Sequence, residues 1–411
     1  MCSTASFGGN SCGSRDEEMI KRKTQKRRDV CFKCKTGDPF VVIRQGDPFC
    51  GTCFDTHVIH KFRQGLGKTK ILYPGDKLLV NISGNVSSLA MLRLLATGYD
   101  TASHKKITAD PKIVVVDDSF MFDSGESPVP AILREVERVP DMPRQVFVVP
   151  FQLVFLSNFR ERCKEFYEGN KDRKIVDFNE MRVDFEKLAD SARSTFSNIE
   201  TVSAREDIHR SLRLQILSTL AGILHSTKIM MSDTSTDLAA RLLSSVAVGR
   251  GANLPHETQY LDNRLPGVTF INCMREFTPK ECAYYLRRLG VAPITVLTHS
   301  TLLDPIVGSV NRLTDTFISG LQATFPSTIS TVMKTSAKLQ PMSNCSRNCD
   351  VCLLPIIQRE ADVTDKMSEL DLEDKLCNGC VIALSECEQD VREIVPKSSN
   401  VKAILDEFLI S

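Results

Sequence analysis

No stretch of this 411-residue chain is apolar for the roughly 18 consecutive residues that a membrane-spanning helix needs, which excludes such a span. An excess of one charge is missing too. The 52 Lys and Arg stand against 51 Asp and Glu, so overall charge favours no polyanionic partner. The first 14 residues, rich in Ser, Gly and Asn, lack the apolar centre of a secretory leader. Without a leader, 15 cysteines read as thiols of a reducing compartment that hold metal, so the expectation is a cytoplasmic protein with no membrane contact.

What is present begins with the cysteines. Cys31-x2-Cys34 and Cys50-x2-Cys53 flank turn signals at Asp38-Pro39 and Gly46-Asp47-Pro48, with a short apolar run, Phe40 to Ile43, between them. One such knuckle brings two thiolates to a cation, and two knuckles complete a tetrahedral zinc site. Four unrelated buried thiols would not explain the pairing, so residues 30–60 are expected to form a zinc ribbon. A second set lies near the other end: Cys349-x2-Cys352 and Cys377-x2-Cys380 are the natural knuckles, with Cys345 and Cys387 as substitutes or free thiols. Thiolate sites of this kind accept zinc or an iron–sulfur cluster, and both stay open here.

Charge is local where it is not global. Lys21, Arg22, Lys23, Lys26, Arg27 and Arg28 fall within eight residues just ahead of the ribbon. Residues 1–29 read as a disordered basic arm whose cations contact RNA phosphates, solubilise the ribbon or address the nucleus. Lys61, Arg63, Lys68 and Lys70 extend the basic character along a helix that leaves the ribbon, where His57 and His60 read as surface or RNA contacts.

From Gly75 the pattern alternates. Strands are expected at Lys77 to Ile82, Lys112 to Asp117, Gln145 to Val149, Lys228 to Ser232 and Gly267 to Ile271. Helices are expected at Ser87 to Ala96, Leu212 to His225, Thr236 to Val248 and Pro279 to Leu289. Near-continuous apolar strands between helices predict an α/β fold with a mostly parallel sheet covered on both faces. Residues 157–203 are charged and strand-poor and read as a helical insertion in a domain spanning 75–340; residues 341–411 form a C-terminal cysteine module, ending in an amphipathic segment from Val401 to Ile410. The first strand runs into Ser83-Gly84-Asn85-Val86-Ser87-Ser88 and then a helix, a small-residue turn able to cradle phosphate. Gly65-Leu66-Gly67-Lys68-Thr69 is not a Walker A loop, since Phe62 stands where its first glycine belongs.

These residues in combination resemble the cytoplasmic tRNA 2-thiolation protein 2 family. The resemblance rests on the paired cysteines, His60-Lys61-Phe62-Arg63, the Ser83-Gly84 turn, Gly249-Arg250-Gly251, Met274-Arg275-Glu276 and Phe325 to Val332. It implies a PP-loop ATPase-like core between two zinc modules. Active PP-loop relatives carry SGGxDS to hold the pyrophosphate of ATP while a uridine is adenylated. Ser83, Gly84 and Ser88 match that loop as cofactor-binding positions, but Asn85 replaces the second glycine and Ser87 the acid. A later TGHNxDD motif is reduced to Ser232-Asp233-Thr234-Ser235-Thr236-Asp237, with Ala240 in place of its glutamate. The sulfur-handling CxxCG motif is missing, and Cys163, Cys273 and Cys282 are isolated.

The resemblance therefore implies a non-catalytic subunit, with ATP binding doubtful. It would pair with a catalytic PP-loop subunit that thiolates the wobble uridine of tRNAs for Lys, Glu and Gln, drawing sulfur from a thiocarboxylated ubiquitin-related modifier. On this reading Gly84→Ala matters little. A self-sufficient ATP-dependent tRNA sulfurtransferase using Cys163 or Cys273 is the alternative, and a zinc-bearing adaptor unrelated to thiolation is a third class.

Overall fold

The computed structural model describes residues 29–43, 46–99, 107–122, 127–139, 142, 144–299, 308–325, 327–341, 345–357 and 375–385. A hairpin, β1 (Val41–Ile43) and β2 (Asp47–Phe49), runs into helix α1 (Gly51–Thr69). Phe54, Val58, Phe62 and Leu66 recur every four residues of α1 and are buried, so one stripe docks the helix. The false Walker A run lies inside this helix.

The core follows as β3 (Lys77–Asn81), α2 (Val86–Ala96), β4 (Asp110–Asp117), α3 (Val129–Glu137), β5 (Gln145–Pro150), α4 (Phe159–Asn170), β6 (Ile175–Asp177), α5 (Phe185–Ser197) and α6 (Val202–Ile223). It continues with β7 (Lys228–Met231), α7 (Ser235–Ala247), α8 (Leu254–Thr258), β8 (Leu261–Leu265), β9 (Val268–Asn272) and α9 (Pro279–Arg288). Then come α10 (Val310–Thr324), α11 (Thr328–Ser336), a second hairpin β10 (Cys345–Asn348) and β11 (Pro355–Ile357), and α12 (Asn378–Ser385).

Seven strands form one sheet in the order β6-β5-β4-β3-β7-β9-β8. All neighbours are parallel except β8, which pairs antiparallel with β9. The predicted α/β architecture holds, and its physical basis is the period-2 alternation of strands buried on both sides. Leu79, Val114, Val116, Phe147 and Val149 enter one apolar cluster, while Leu78, Val80, Ile113, Val115, Val146 and Val148 enter the other.

Each cysteine module belongs to a different face. Val41, Ile43, Phe49 and Phe54 join the second cluster, whereas Val351, Leu353, Leu354, Leu376 and Leu384 join the first. The C-terminal cysteine segment thus shares a core with the sheet.

The strand order reverses at β3. From there the chain moves outward through β4, β5 and β6, then returns to place β7 and β9 on the other side. The loops after β3 and β7 diverge at that point and leave a crevice beyond the strands' carboxyl ends, where open α/β sheets bind ligands.

Two expectations need correction. Residues 157–203 are not a purely helical insertion, because β6 pairs with β5 and extends the sheet. It is three residues long with only Val176 fully buried, too short for a periodic signal. The helix expected from Leu212 begins ten residues earlier, at Val202, where the Thr201 hydroxyl accepts the Ala204 amide and caps it. Its first turns are polar: Ser203 and Glu206 accept from Val310 and Asn311 at the start of α10, and His209, Arg210 and Arg213 line the crevice, which hides the helix from a search for apolar stripes.

Candidate functional site

The crevice has a volume of about 350 Å³ and is lined by Ser83 and Asn85 after β3, Asp118 after β4, and Ser232 and Asp233 after β7. Gly84 sits at φ +85°, a conformation that glycine adopts freely. A Cβ there would lie 2.8 Å from Ile132 Cδ1 and 3.3 Å from Val296 Cγ2. Gly84→Ala is therefore strained for structural reasons alone, contrary to the expectation that it matters little.

Asn85 caps the helix that follows it. Its Oδ1 accepts the Ser88 amide at 2.8 Å and the Ser87 hydroxyl at 3.0 Å, capping α2. The Ser88 hydroxyl is turned back to the Asn85 carbonyl at 3.0 Å. An amide of the helix N-terminus that could face an anion is already taken.

The remaining walls are charged but matched. Arg241 makes a bidentate pair with Asp233 at 2.9 and 3.0 Å. Arg210 meets Glu257 at 2.8 Å, Arg213 meets Asp118 at 2.5 Å and Arg264 meets Asp262 at 2.6 Å. Burial alone would raise the Glu257 carboxyl, but Arg210 and Arg250 outweigh it and bring it to about 2. Asp118 and Asp233 are likewise burdened by burial yet held below the usual carboxylate range by Arg213 and Arg241. Asp237, the one acid retained from the second motif, closes a capping box with Thr234 at the start of α7. Asn85, Asp233 and Asp237 are thus all engaged in structural hydrogen bonds.

Val296, Leu297 and Thr298 line the crevice beside Ile132. Next along the strap, His299 stacks on Phe196 with centroids 5.4 Å apart and meets Phe122 and His209 edge-on. Burial, reinforced by His209, lowers the His299 imidazole to about 4. A histidine whose folded value is depressed contributes stability that is complete above its ordinary value of about 6.5 and lost as pH falls towards the folded value. Acidification from 6.5 to 4 is therefore expected to cost up to about 2 kcal/mol, allowing for partial exposure of the ring. Thermal unfolding at stepped pH checks this: His299→Phe should flatten the slope in that window, and an unchanged slope refutes the assignment.

The thiols group as the spacing predicts. Cys31, Cys34, Cys50 and Cys53 have sulfurs within 4.8 Å of one another, as do Cys349, Cys352, Cys377 and Cys380. A tetrahedral ion with metal–sulfur bonds of about 2.3 Å sets its sulfurs about 3.8 Å apart. The Cys34–Cys50 separation is 3.8 Å and the Cys352–Cys377 separation 3.4 Å, so both sets fit one ion. A four-iron cube binds each sulfur to a different iron and would hold them wider apart. The first set is at the surface, with Cys34 exposed; the second is sealed in the core. Among the described residues these are the two clusters of metal-ligating side chains, and Cys163, Cys273 and Cys282 join neither. Burial pushes all three lone thiols up, which keeps them neutral and poor as nucleophiles.

The basic positions fare unevenly. Lys21, Arg22, Lys23, Lys26, Arg27 and Arg28 lie outside the described residues, as do Cys387 and the segment from Val401 to Ile410; of Cys345 only the strand is described. Lys68 and Lys70 are exposed at the end of α1. Lys61 is not a surface cation: it is 8% exposed and donates to Glu281 Oε1 at 2.6 Å. Arg63 is half-buried and donates to the Thr97 carbonyl at 2.5 Å. Both sit on the side of α1 that packs, which a basic cluster in sequence does not reveal. His57 packs on the Phe49 ring, 5.3 Å between centroids, away from the thiols. A larger cleft of about 1010 Å³ lies between the first hairpin, the segments that follow β7 and β9, and α10–α11, and the Glu281 on its wall is engaged by Lys61 and Thr278.

Reading the sequence missed Arg210, Arg213, Glu257, Asp262 and Arg264. The available signal was Asp207, Arg210 and Arg213, charges at three-residue spacing that continue into an otherwise apolar helix.

Comparison with known proteins now bears on the site. A curated Xenopus laevis protein, cytoplasmic tRNA 2-thiolation protein 2-A, is 31% identical over 376 residues, covering 80% of this chain and 72% of the relative. The chain belongs to the cytoplasmic tRNA 2-thiolation protein 2 family. The Bos taurus member is 32% identical with 82% and 73% covered, and the Homo sapiens member 29% identical with 79% and 70% covered. The family model described as cytoplasmic tRNA 2-thiolation protein 2 matches residues 309–398, from just before α10 through the C-terminal cysteines. Family members carry the cytoplasmic location in their names, in agreement with the expectation from composition. Among solved structures, the U34-tRNA thiolase NcsA from Methanococcus maripaludis with its [4Fe-4S] cluster superimposes with a TM-score of 0.52 at 15% identity, covering 78% of this chain and 90% of that one. That likeness is one of fold. Among the described residues no helix is long and apolar enough to cross a membrane.

Proposed function

We propose that this chain is a non-catalytic subunit in the 2-thiolation of wobble uridine in tRNAs for Lys, Glu and Gln. It pairs with a catalytic PP-loop subunit that activates the uridine with ATP and receives sulfur from a thiocarboxylated ubiquitin-related modifier. The observation that carries the reading is the crevice at the strand-order switch: Asn85 occupies the helix N-terminus, and each of four arginines in the walls faces a carboxylate. A triphosphate entering there would have to break these pairs. Ser83, Gly84 and Ser88 are thus the remnant of a nucleotide loop. A fold that keeps the shape of its catalytic relative retains a surface for pairing with it, which supports a heterodimer.

Cys31, Cys34, Cys50 and Cys53 hold one zinc ion in a ribbon over residues 30–60, and Cys349, Cys352, Cys377 and Cys380 hold another in the module from 341. The metal supplies cross-linking of the chain and no step of the reaction. Lys68, Lys70 and the basic arm from Lys21 to Arg28 contact tRNA phosphates, positioning the RNA without reading its sequence. The self-sufficient sulfurtransferase finds no support in Cys163 or Cys273, both buried and neutral.

Titration calorimetry with ATP and magnesium tests the division of labour. The purified chain should give no binding heat, while its complex with the catalytic subunit should bind one nucleotide per pair. Stoichiometric ATP binding by the chain alone would overturn the non-catalytic assignment.

A further inference from the structure

Gly249-Arg250-Gly251 was singled out in the sequence, and neither the crevice nor the hairpins explain it. The structure places its arginine against the C-terminal cysteines. Arg250 is 3% exposed, and its Nη2 donates to Cys380 Sγ at 3.1 Å. Its Nη1 donates to Asp207 Oδ1 on α6. The guanidinium thus spans from a sulfur of the four-cysteine cluster to the helix that covers the sheet.

The surrounding backbone makes room for it. A Cβ on Gly379 would lie 2.4 Å from both Cγ and Nε of Arg250. Gly249 has φ +80°, and its carbonyl accepts from Asn378 Nδ2 at 3.3 Å. The Arg250 amide donates to the Ser245 carbonyl at 2.7 Å, fixing the arginine to the end of α7. Arg250, 130 positions before the sulfur it serves, sits in a socket closed by Gly249 and Gly379.

The need for a cation follows from charge. Four thiolates around one divalent ion carry a net charge of about −2, and burying that charge in an apolar core is costly unless hydrogen bonds and counter-charge offset it. The N-terminal cluster, with Cys34 exposed, has water nearby and takes a backbone donor, Gly37 N to Cys34 Sγ at 3.3 Å. The C-terminal cluster is closed on all four cysteines and takes an arginine instead.

We propose that Arg250 is a positioning residue of the C-terminal metal site, holding the Cys380 thiolate from outside the ligand shell and, through Asp207, coupling metal occupancy to the core. The proposal rests on the metal-binding reading of those cysteines, so the test separates the two. Zinc content of the full-length chain is measured by elemental mass spectrometry, and zinc release by competition with a chromogenic chelator. In Cys34→Ser, where the exposed N-terminal cluster is broken, the equivalent that remains identifies the C-terminal ion. Arg250→Met should weaken that equivalent by about 10- to 100-fold and leave the N-terminal one unchanged. Gly379→Ala, which displaces the guanidinium without removing it, should do the same, and Arg250→Lys should recover part of the loss. The thiolate-to-cobalt absorption of the cobalt-loaded Cys34→Ser chain adds a readout that plain packing would not move: Arg250→Lys should shift it.

Affinity within twofold of the parent in both Gly379→Ala and Arg250→Lys overturns the proposal, even if Arg250→Met fails to fold. A parent chain whose single zinc is lost in Cys34→Ser overturns the metal reading itself.

Discussion

Cys352→Ser should leave little folded protein. Cys349, Cys352, Cys377 and Cys380 are between 0% and 5% exposed and lie within the larger apolar cluster, beside Val351, Leu353 and Leu354. Removing one thiolate releases the ion and leaves three buried thiols around a void. Structural zinc contributes apparent free energies of about 10–16 kcal/mol in small zinc domains, against a whole-domain stability of about 5–15 kcal/mol. Even a fraction of that loss, transmitted through the shared core, exceeds what the fold can absorb. Soluble yield and zinc content are the readouts, and a normal yield with full metal would show the cluster to be incidental. Cys34→Ser at the exposed N-terminal cluster should be milder, with loss confined to the first hairpin and α1.

Glu281→Ala is the second large effect. It strands the Lys61 ammonium, 8% exposed, in a pocket where its partner stood 2.6 Å away. Removing one member of a buried pair costs about 3–5 kcal/mol, and the lost capping box at Thr278 adds about 1 kcal/mol. The double change Lys61→Met with Glu281→Gln should recover most of this, since no charge is then left unpaired. Urea unfolding of the three forms gives the comparison. A loss below 1 kcal/mol in Glu281→Ala would mean that the lysine finds water, and that α1 is less tightly docked than the geometry indicates. The same pair explains why Lys61 is not offered to RNA.

Elements with a strong internal signal were legible before the structure. β3, β4, β5, β7 and β9 are apolar runs bounded by turn residues, and α7 and α9 begin at Thr-x-x-acid boxes, so their limits lie within a residue or two of expectation. Both cysteine sets assembled as paired, although 24 residues separate Cys352 from Cys377, because knuckle spacing is a local property of the backbone. What stayed hidden depends on distant partners. β6 and β8 are edge strands that borrow order from β5 and β9, and the first turns of α6 are polar because Ser203 and Glu206 meet α10 before Arg210 and Arg213 reach Glu257 and Asp118. The substitution of Asn85 for glycine was visible, and its consequence was not: its carboxamide accepts the Ser88 amide and caps α2. Charge clusters mislead most, since Lys61 and Lys68 look alike in sequence and differ only in which side of α1 they occupy.

The most direct test of the account is nucleoside mass spectrometry of total tRNA from cells lacking this chain. Loss of 2-thiouridine at the wobble position, with the C5 modification retained and restored by re-expression, is the expected result. Normal thiolation in those cells would contradict it and would leave this fold serving some other partner.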